Sequence, residues 1–189
     1  MTDAPTADAR DDERRLWRAL RSGDRGAAEI LVERTYHQVY ASLFRLTGGD
    51  GDLAADLTQD TYRKAWASLG SFKEQCQFST WLYRVAYNTF LNHVRRPRRL
   101  EALDEPQAVE IQDDLPDSHQ LFERREIDER LRRAVMGLPD ELRFTVTARF
   151  WGECPVTEIA EAEAVTGAAI RKRLKKAFQH LRLILQEDA

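Results

Sequence analysis

Residues 72–99 read FKEQCQFSTWLYRVAYNTFLNHVRRPRR, a segment rich in aromatic side chains that ends in a cluster of arginines. Read as a helix from Ser79, it has an apolar line at helical spacing, made of Tyr83, Tyr87, Phe90 and Val94. A second line is polar and cationic after one aromatic residue: Trp81, Arg84, Asn88, Asn92 and Arg95. Because aromatic rings stack unpaired bases and guanidinium groups neutralise phosphates, the pattern favours binding of a single nucleic-acid strand. A buried helix with a solvated polar face is the alternative that this segment alone leaves open.

The composition predicts an all-α protein. The 189 residues fit one large or two small domains, and nine glycines and six prolines are few. The sequence contains no apolar run of membrane-spanning length and no signal peptide, so we expect a cytosolic protein. Cys76 and Cys154 are far apart and lack metal-ligand spacing, so we expect free thiols, no metal site and no cofactor.

Charge is segregated along the chain, although the net charge is only −3. Residues 63–99 carry eight basic side chains against the single acid Glu74, and residues 171–182 carry six with no acid. Residues 100–120 between them hold seven acids and no Lys or Arg. Two basic faces joined by an acidic tether predict nucleic-acid binding at two places.

The periodicity predicts two helical domains. Residues 1–11 have the composition of a disordered tail, and residues 12–97 carry four helices. The last of these is the aromatic helix, which Pro97 ends because proline lacks an amide hydrogen. Residues 98–120 are acidic and aperiodic, and we expect a flexible linker there. Residues 121–189 form the second helical domain.

The second domain contains a helix-turn-helix pattern in residues 155–182, which read PVTEIAEAEAVTGAAIRKRLKKAFQHLR. A short helix with Ile159 and Ala160 precedes a tight connection, and Thr166 is placed to cap the next helix. One face of that helix is basic: Arg171, Lys172, Arg173, Lys175 and Lys176. The arrangement favours a helix that enters the major groove of duplex DNA, and a solvated amphipathic helix is the alternative.

Motifs of one known family follow each other in order over almost the whole chain. They are the turn RSGD at residues 21–24, DLTQDTY at 56–62, the aromatic segment 72–88, Leu138-Pro139, Ile159-Ala160 and IRKRL at 170–174. On these motifs the chain resembles the extracytoplasmic-function (ECF) class of bacterial RNA polymerase sigma factors. The resemblance implies an alternative sigma factor with two helical domains, a region 2-like domain at 12–97 and a region 4-like domain at 121–189.

The resemblance also implies partners and roles. Core RNA polymerase would be bound through its β′ clamp helices and β flap, and an anti-sigma factor would control the protein. The residues implied in binding core polymerase are Asp56, Gln59 and Asp60. Those implied at the minus-ten promoter element are Phe72, Lys73, Trp81, Tyr83, Arg84, Asn88, Asn92 and Arg95, with Asn88 reading a flipped base. Those implied at the minus-thirty-five element are Thr166, Arg171, Lys172, Arg173, Lys175 and Lys176.

Four residues in the helix-turn-helix depart from the family pattern. Pro155 stands where Ser or Asn usually caps the first helix, and Phe178 stands where the family often has Arg. Glu163 replaces the usual aliphatic residue and Ala164 replaces glycine, so either the turn is rearranged or Glu163 points toward solvent. A stand-alone helix-turn-helix repressor is the alternative function, and a helical adaptor that binds only protein is a third. An enzyme is not expected, because the sequence has no nucleophile–base pairing, metal cluster or phosphate-binding glycine loop.

Overall fold

The structure is a computed structural model that describes residues 7–95 and 118–187. Within these ranges all regular structure is helical, which confirms the predicted all-α class. The first group of helices is α1 (Ala7–Arg21), α2 (Arg25–Leu46), α3 (Gly51–Ala67) and α4 (Phe78–Arg95), with a short 3-10 turn at Leu69–Ser71. The second group is α5 (Ser118–Met136), α6 (Asp140–Phe150), α7 (Val156–Ala162) and α8 (Gly167–Glu187).

Short polar side chains fix several helix starts. The carboxylate of Asp24 accepts hydrogen bonds from the backbone amides of Gly26 and Ala27, and that of Asp50 accepts one from Leu53. These aspartates occupy N-cap positions, where they satisfy amides that have no partner inside the helix. The predicted cap at Thr166 is also present, because its hydroxyl accepts a hydrogen bond of 3.2 Å from the amide of Ala169.

Two predicted boundaries differ from the structure. Helix α1 begins at Ala7, so the expected disordered tail at 1–11 is wrong for residues 7–11. Alanines and an early aspartate favour a helix start there, because alanine has the highest helix propensity and a negative charge suits the helix N-terminus. Helix α5 begins at Ser118, three residues inside the predicted linker. The rest of that linker and residues 1–6 lie outside the described residues.

The two groups of helices share a core. Its first part is formed by α1–α4 and contains fully buried Trp17, Leu43, Phe78 and Leu82. The same cluster continues into the second group through Phe144, Ala148, Cys154, Ile159, Ala160 and Ile170. A separate apolar cluster holds α5, α6 and α8 together. The helices predicted to form two tethered domains therefore pack against each other, and we call this the closed arrangement.

Candidate nucleic-acid interface

Helix α4 carries the polar stripe predicted from the sequence, formed by Trp81, Arg84, Asn88, Asn92 and Arg95. The two asparagines and Arg95 are exposed, and Trp81 and Arg84 are half-buried. Spacings of three and four residues bring these side chains onto one side of the helix. The asparagine end of the stripe is therefore open to a ligand, and the Arg84 end is partly covered.

The aromatic residues at the start of α4 form a packed cluster. The Phe72 ring lies 4.8 Å from that of Trp17, edge to face, and 5.3 Å from that of Trp81. Phe72 and Phe78 are buried, at 7% and 1% exposure. Trp81 is partly exposed to solvent, whereas Phe72 is buried and anchors the start of the loop that follows it.

The loop 73–77 and the start of α4 are held by three contacts from distant parts of the chain. The Trp17 indole donates a hydrogen bond of 3.1 Å to the carboxylate of Glu74, whose backbone is left-handed at φ 57°. The amide of Gln77 donates one of 2.6 Å to Glu158 of α7. The carboxylate of Glu13 accepts hydrogen bonds from the amides of Phe78 and Ser79 and so caps α4 from another helix. The exposed Lys73 side chain is thereby presented on a fixed loop.

One group beside this loop, Glu13, and one within it, Cys76, have raised pKa values. Burial raises the pKa of the Glu13 carboxyl above its usual range, and the nearby Glu158 carboxylate adds to the rise. Burial also raises the pKa of the Cys76 thiol to about 12, with Glu158 and Glu161 contributing. Both cysteines are free thiols, as predicted.

Tyr83 does not lie on an open surface in the closed arrangement. It is 3% exposed, and its ring lies against Gly152 and 6.2 Å from the ring of Phe144 in α6. Burial raises its hydroxyl pKa well above the ordinary value. Its neighbour Tyr87 is equally covered, with the Phe144 ring 5.2 Å away at a 62° angle. The Tyr83 ring is therefore inaccessible to a nucleic-acid strand in the closed arrangement, contrary to its predicted place on the binding surface.

The helix-turn-helix of α7 and α8 is built as the sequence predicts. Ile159, Ala160 and Ile170 are buried where the two helices cross. The predicted basic residues Arg171, Lys172, Lys175 and Lys176 are exposed on α8, and Thr166 is exposed at its start. Arg173 differs, because its side chain is only 21% exposed and its guanidinium lies 3.2 Å from the Glu141 carboxylate.

Glu163 connects the two predicted DNA-reading surfaces. One carboxylate oxygen lies 3.0 Å from Nη1 of Arg84 on α4, and the other lies 3.5 Å from Nη1 of Arg173 on α8. Arg84 also donates a hydrogen bond to the carbonyl of Ala162. Neither expected outcome for Glu163 is found, because the turn is kept and the half-buried carboxylate is ion-paired. Ala164 adopts a left-handed backbone, φ 54°, a conformation that glycine takes without steric cost. The only signal for this bridge in the sequence was the unusual acid at position 163.

A third surface lies on α3. Asp56 and Gln59 are exposed, and the half-buried Asp60 carboxylate lies 3.0 Å from Nη2 of Arg63. The three predicted core-binding residues share one face of the helix, as their spacing requires. Among the described residues there is no helix able to span a membrane and no cluster of His, Cys, Asp or Glu suited to a metal ion.

Comparison with known proteins places these surfaces in context. Residues 31–100 match the Sigma-70 region 2 family. The RNA polymerase sigma-H factor of Pseudomonas aeruginosa is 27% identical over 184 residues, covering 93% of this chain and 95% of that protein. The ECF RNA polymerase sigma-E factor of Escherichia coli K12 is 29% identical over 166 residues, covering 84% and 86%.

Two solved structures share the fold. CnrH, solved in complex with the cytosolic domain of CnrY, superposes with a TM-score of 0.65 at 21% identity, over 94% of this chain and 99% of that one. The sigma factor RpoE of Bartonella quintana, solved with the anti-sigma factor NepR, has a TM-score of 0.53 at 21% identity, over 85% and 98%.

Proposed function

We propose that this chain, which belongs to the extracytoplasmic-function class of bacterial RNA polymerase sigma factors, binds core RNA polymerase and directs promoter-specific transcription initiation. The observation that carries the proposal is that one chain combines the polar stripe of α4, the basic face of α8 and the exposed face of α3. This chain is similar in sequence to sigma factors over 84% to 93% of its length. The polymerase performs the chemistry, and this chain supplies promoter specificity in the cytoplasm. The regulatory role needs no catalytic residue or cofactor of its own.

The first domain, residues 12–97, is proposed to read and melt the minus-ten element. Asn88 and Asn92 present amide groups that both donate and accept hydrogen bonds, which suits the edge of a flipped base. Lys73, on the loop before α4, and Arg95, the last residue of α4, are exposed and suit phosphate contacts. Phe72 is assigned a supporting role, since it is buried and braces Trp81.

The second domain, residues 121–189, is proposed to bind the minus-thirty-five element as duplex. The exposed Arg171, Lys172, Lys175 and Lys176 lie on the second helix of the helix-turn-helix, which reads base edges and phosphates in the major groove. We assign the acidic segment 98–117 to the tether between the two readers, and the family resemblance implies that such a tether lies in the RNA exit path.

Core polymerase is proposed to bind α3 through Asp56, Gln59 and Asp60. Exposed acidic and amide groups at i, i+3 and i+4 complement an arginine-rich helical partner such as the β′ clamp helices. The second domain would contact the β flap. An anti-sigma factor is proposed as the inhibitor, because the matching RpoE of Bartonella quintana was solved with one. A co-encoded protein that captures the chain and blocks core binding would support this, and failure of every co-encoded candidate would reject it.

The test is reconstitution with sigma-free core polymerase on a library of genomic fragments. Wild type is expected to co-migrate with core and to start transcripts at defined sites. Asn88→Ala is expected to bind core normally but to lose promoter melting at least tenfold, the scale of losing one base-reading contact. His93→Ala, an exposed change on α4 outside the polar stripe, is the matched control. DNA binding without any association with core would instead favour a stand-alone repressor.

A further inference from the structure

Helix α1 has an exposed arginine face, defined here as Arg14, Arg15, Arg18 and Arg21. All six basic residues in residues 1–25 are arginines, and none is a lysine. Arg14, Arg18 and Arg21 recur at spacings of four and three residues, so they lie in one line on the helix. The Arg14 and Arg18 side chains are 54% and 71% exposed. Helix α1 precedes residues 31–100, which match the Sigma-70 region 2 family, and none of the residues given a role above lies on it.

The opposite face of α1 is fixed against the start of α4. Trp17 is 1% exposed, and its ring lies 4.8 Å from that of Phe72. The Trp17 indole also donates a hydrogen bond to the Glu74 carboxylate, in the loop 73–77. The carboxylate of Glu13 accepts hydrogen bonds from two backbone amides at the start of α4. These contacts hold the arginine face in a fixed position beside the loop and the polar stripe of α4.

The acidic residues near α1 leave most of the arginine charge unneutralised. The Asp12 carboxylate is paired with a guanidinium group of α2 at 2.6 Å. Asp11 lies 4.0 Å from the guanidinium of Arg14. Glu74 lies 3.8 Å from that of Arg18. Ion pairs between exposed side chains are weak, because water screens the charges, so the arginine face keeps a net positive charge.

The arginine face borders the surface proposed to bind the unpaired minus-ten strand. Arg14 lines a cleft together with residues 74–78, which follow the exposed Lys73. Four carboxylates also line this cleft, those of Glu13, Glu74, Glu158 and Glu161. The cleft therefore repels phosphate groups, whereas the arginines beside it attract them. A strand bound at Lys73 can continue along the outer side of α1 without entering the cleft.

We propose that the arginine face of α1 binds backbone phosphates of the unpaired strand next to the minus-ten element, independently of base sequence. The proposal rests on the minus-ten role proposed for α4. Arginine suits this task because its planar guanidinium pairs with two oxygens of one phosphate. The line from Arg14 to Arg21 spans about 10 Å of helix, the length of about three phosphates along one strand of B-form DNA. The face holds the melted strand while the asparagines of α4 read its bases.

The test measures binding of the full chain to a fluorescein-labelled, random-sequence, single-stranded 20-mer by fluorescence anisotropy. The double variant Arg14→Gln/Arg18→Gln is compared with wild type between about 50 and about 200 mM salt. Each lost phosphate contact makes the slope of log affinity against log salt shallower by about 0.7 for a single strand, so a change of about 1.4 is expected. Over this range of salt, the ratio of wild-type affinity to variant affinity is then expected to shrink about sevenfold.

Arg45→Gln/Arg133→Gln is the matched control, because it removes the same charge from exposed positions on α2 and α5. The slope of this control is expected to match that of wild type. Glutamine and arginine have similar helix propensities, so both double variants are expected to keep the melting temperature of wild type. Equal slopes for wild type and Arg14→Gln/Arg18→Gln would overturn the proposal. An equal change of slope in the two double variants would also overturn it, because the effect would then come from net charge alone.

Reconstituted transcription separates this proposal from the function on which it rests. The Arg14→Gln/Arg18→Gln variant is expected to bind core polymerase as wild type does and to form open promoter complexes that dissociate faster. Loss of core binding in this variant would show that the arginine face binds protein and would overturn the proposal. Normal initiation with unchanged salt slopes would overturn only the role of α1. Failure of wild type to initiate, with salt slopes that differ as expected, would reject the proposed function and leave the arginine face as a single-strand-binding surface.

Discussion

Replacing Phe144 by alanine tests whether the second group of helices packs on the first. The Phe144 side chain belongs to α6 and is 8% exposed, although the rings it contacts, Tyr83 and Tyr87, belong to α4. The Cζ atom of Arg84 lies 5.9 Å from the centre of its ring, within range of a cation–π contact. The stability that the Phe144 side chain contributes therefore comes mainly from its contacts with α4.

The magnitude follows from these contacts. Burying a phenylalanine contributes about 1.5–3 kcal/mol, and each aromatic pair adds about 0.5–1.5 kcal/mol. Truncation of a core phenylalanine costs about 3–5 kcal/mol, and we expect the lower end because water refills an interface more easily than a core. For a chain of this size, a loss of about 3 kcal/mol lowers the melting temperature by about 9 °C.

Thermal and urea unfolding of the full chain measure this effect, with Phe150→Ala as the matched control. Phe150 lies on the same helix and is 50% exposed, in contact with Phe178, so its truncation is expected to cost less than about 1 kcal/mol. In a double-mutant cycle with Tyr87→Leu, the coupling free energy is expected to be about 1 kcal/mol. Equal, small effects of Phe144→Ala and Phe150→Ala, with no coupling, would refute packing between the two groups.

Four further outcomes are expected. Burial raises the pKa of the Glu13 carboxyl above its ordinary value of 4.5, so the folded state holds this proton more tightly than the unfolded state. The resulting stability is fully present below pH 4.5 and is lost as pH rises through the folded pKa. Urea unfolding should therefore show wild type losing stability relative to Glu13→Gln as pH rises, and parallel pH profiles would contradict this. Ala164→Gly is expected to raise the free energy of unfolding by about 0.5–1 kcal/mol, because it relieves a left-handed alanine, and a destabilised variant would show that the turn is unstrained. Lys172→Ala is expected to make the slope of log affinity against log salt shallower by about one for duplex DNA, because one phosphate contact is lost. An unchanged slope would show that Lys172 does not contact DNA. The pKa of the Cys76 thiol is raised to about 12, so we expect it to react with iodoacetamide at neutral pH far more slowly than a solvent-exposed thiol of ordinary pKa. Rapid labelling would show that the loop 73–77 opens.

Several features of the candidate site follow from local sequence. The helical periodicity of residues 79–95 gives the exposed face that carries Asn88 and Asn92, because side chains three or four residues apart share a side of a helix. The turn at Gly23 and the cap at Thr166 follow from residue types that stabilise turns and helix starts. These predictions succeed because their physical cause lies within a few residues of the feature.

Other features depend on partners far away in the chain. The position of Tyr83 on the apolar line of α4 does not tell whether its side chain is buried or exposed. Its burial depends on Gly152 and Phe144, which lie far away in the sequence. The cap of α4 is supplied by Glu13, more than sixty residues earlier. Nothing in the local sequence around α4 indicates that helix α1 delivers a carboxylate there, since that depends on how the two helices cross.

The sequence by itself determined the helical class, the segregated charge and the exposed polar faces of α3, α4 and α8. Periodicity, capping and composition act locally, so they are readable residue by residue. Only the tertiary structure decided that Glu163 pairs with Arg84 and Arg173, and hence that the two proposed DNA readers meet. Coulomb attraction acts through space and weakens with distance, so the neighbours of Glu163 in the sequence do not reveal its ion-pair partners. Folding alone brings Arg84 and Arg173 close to it.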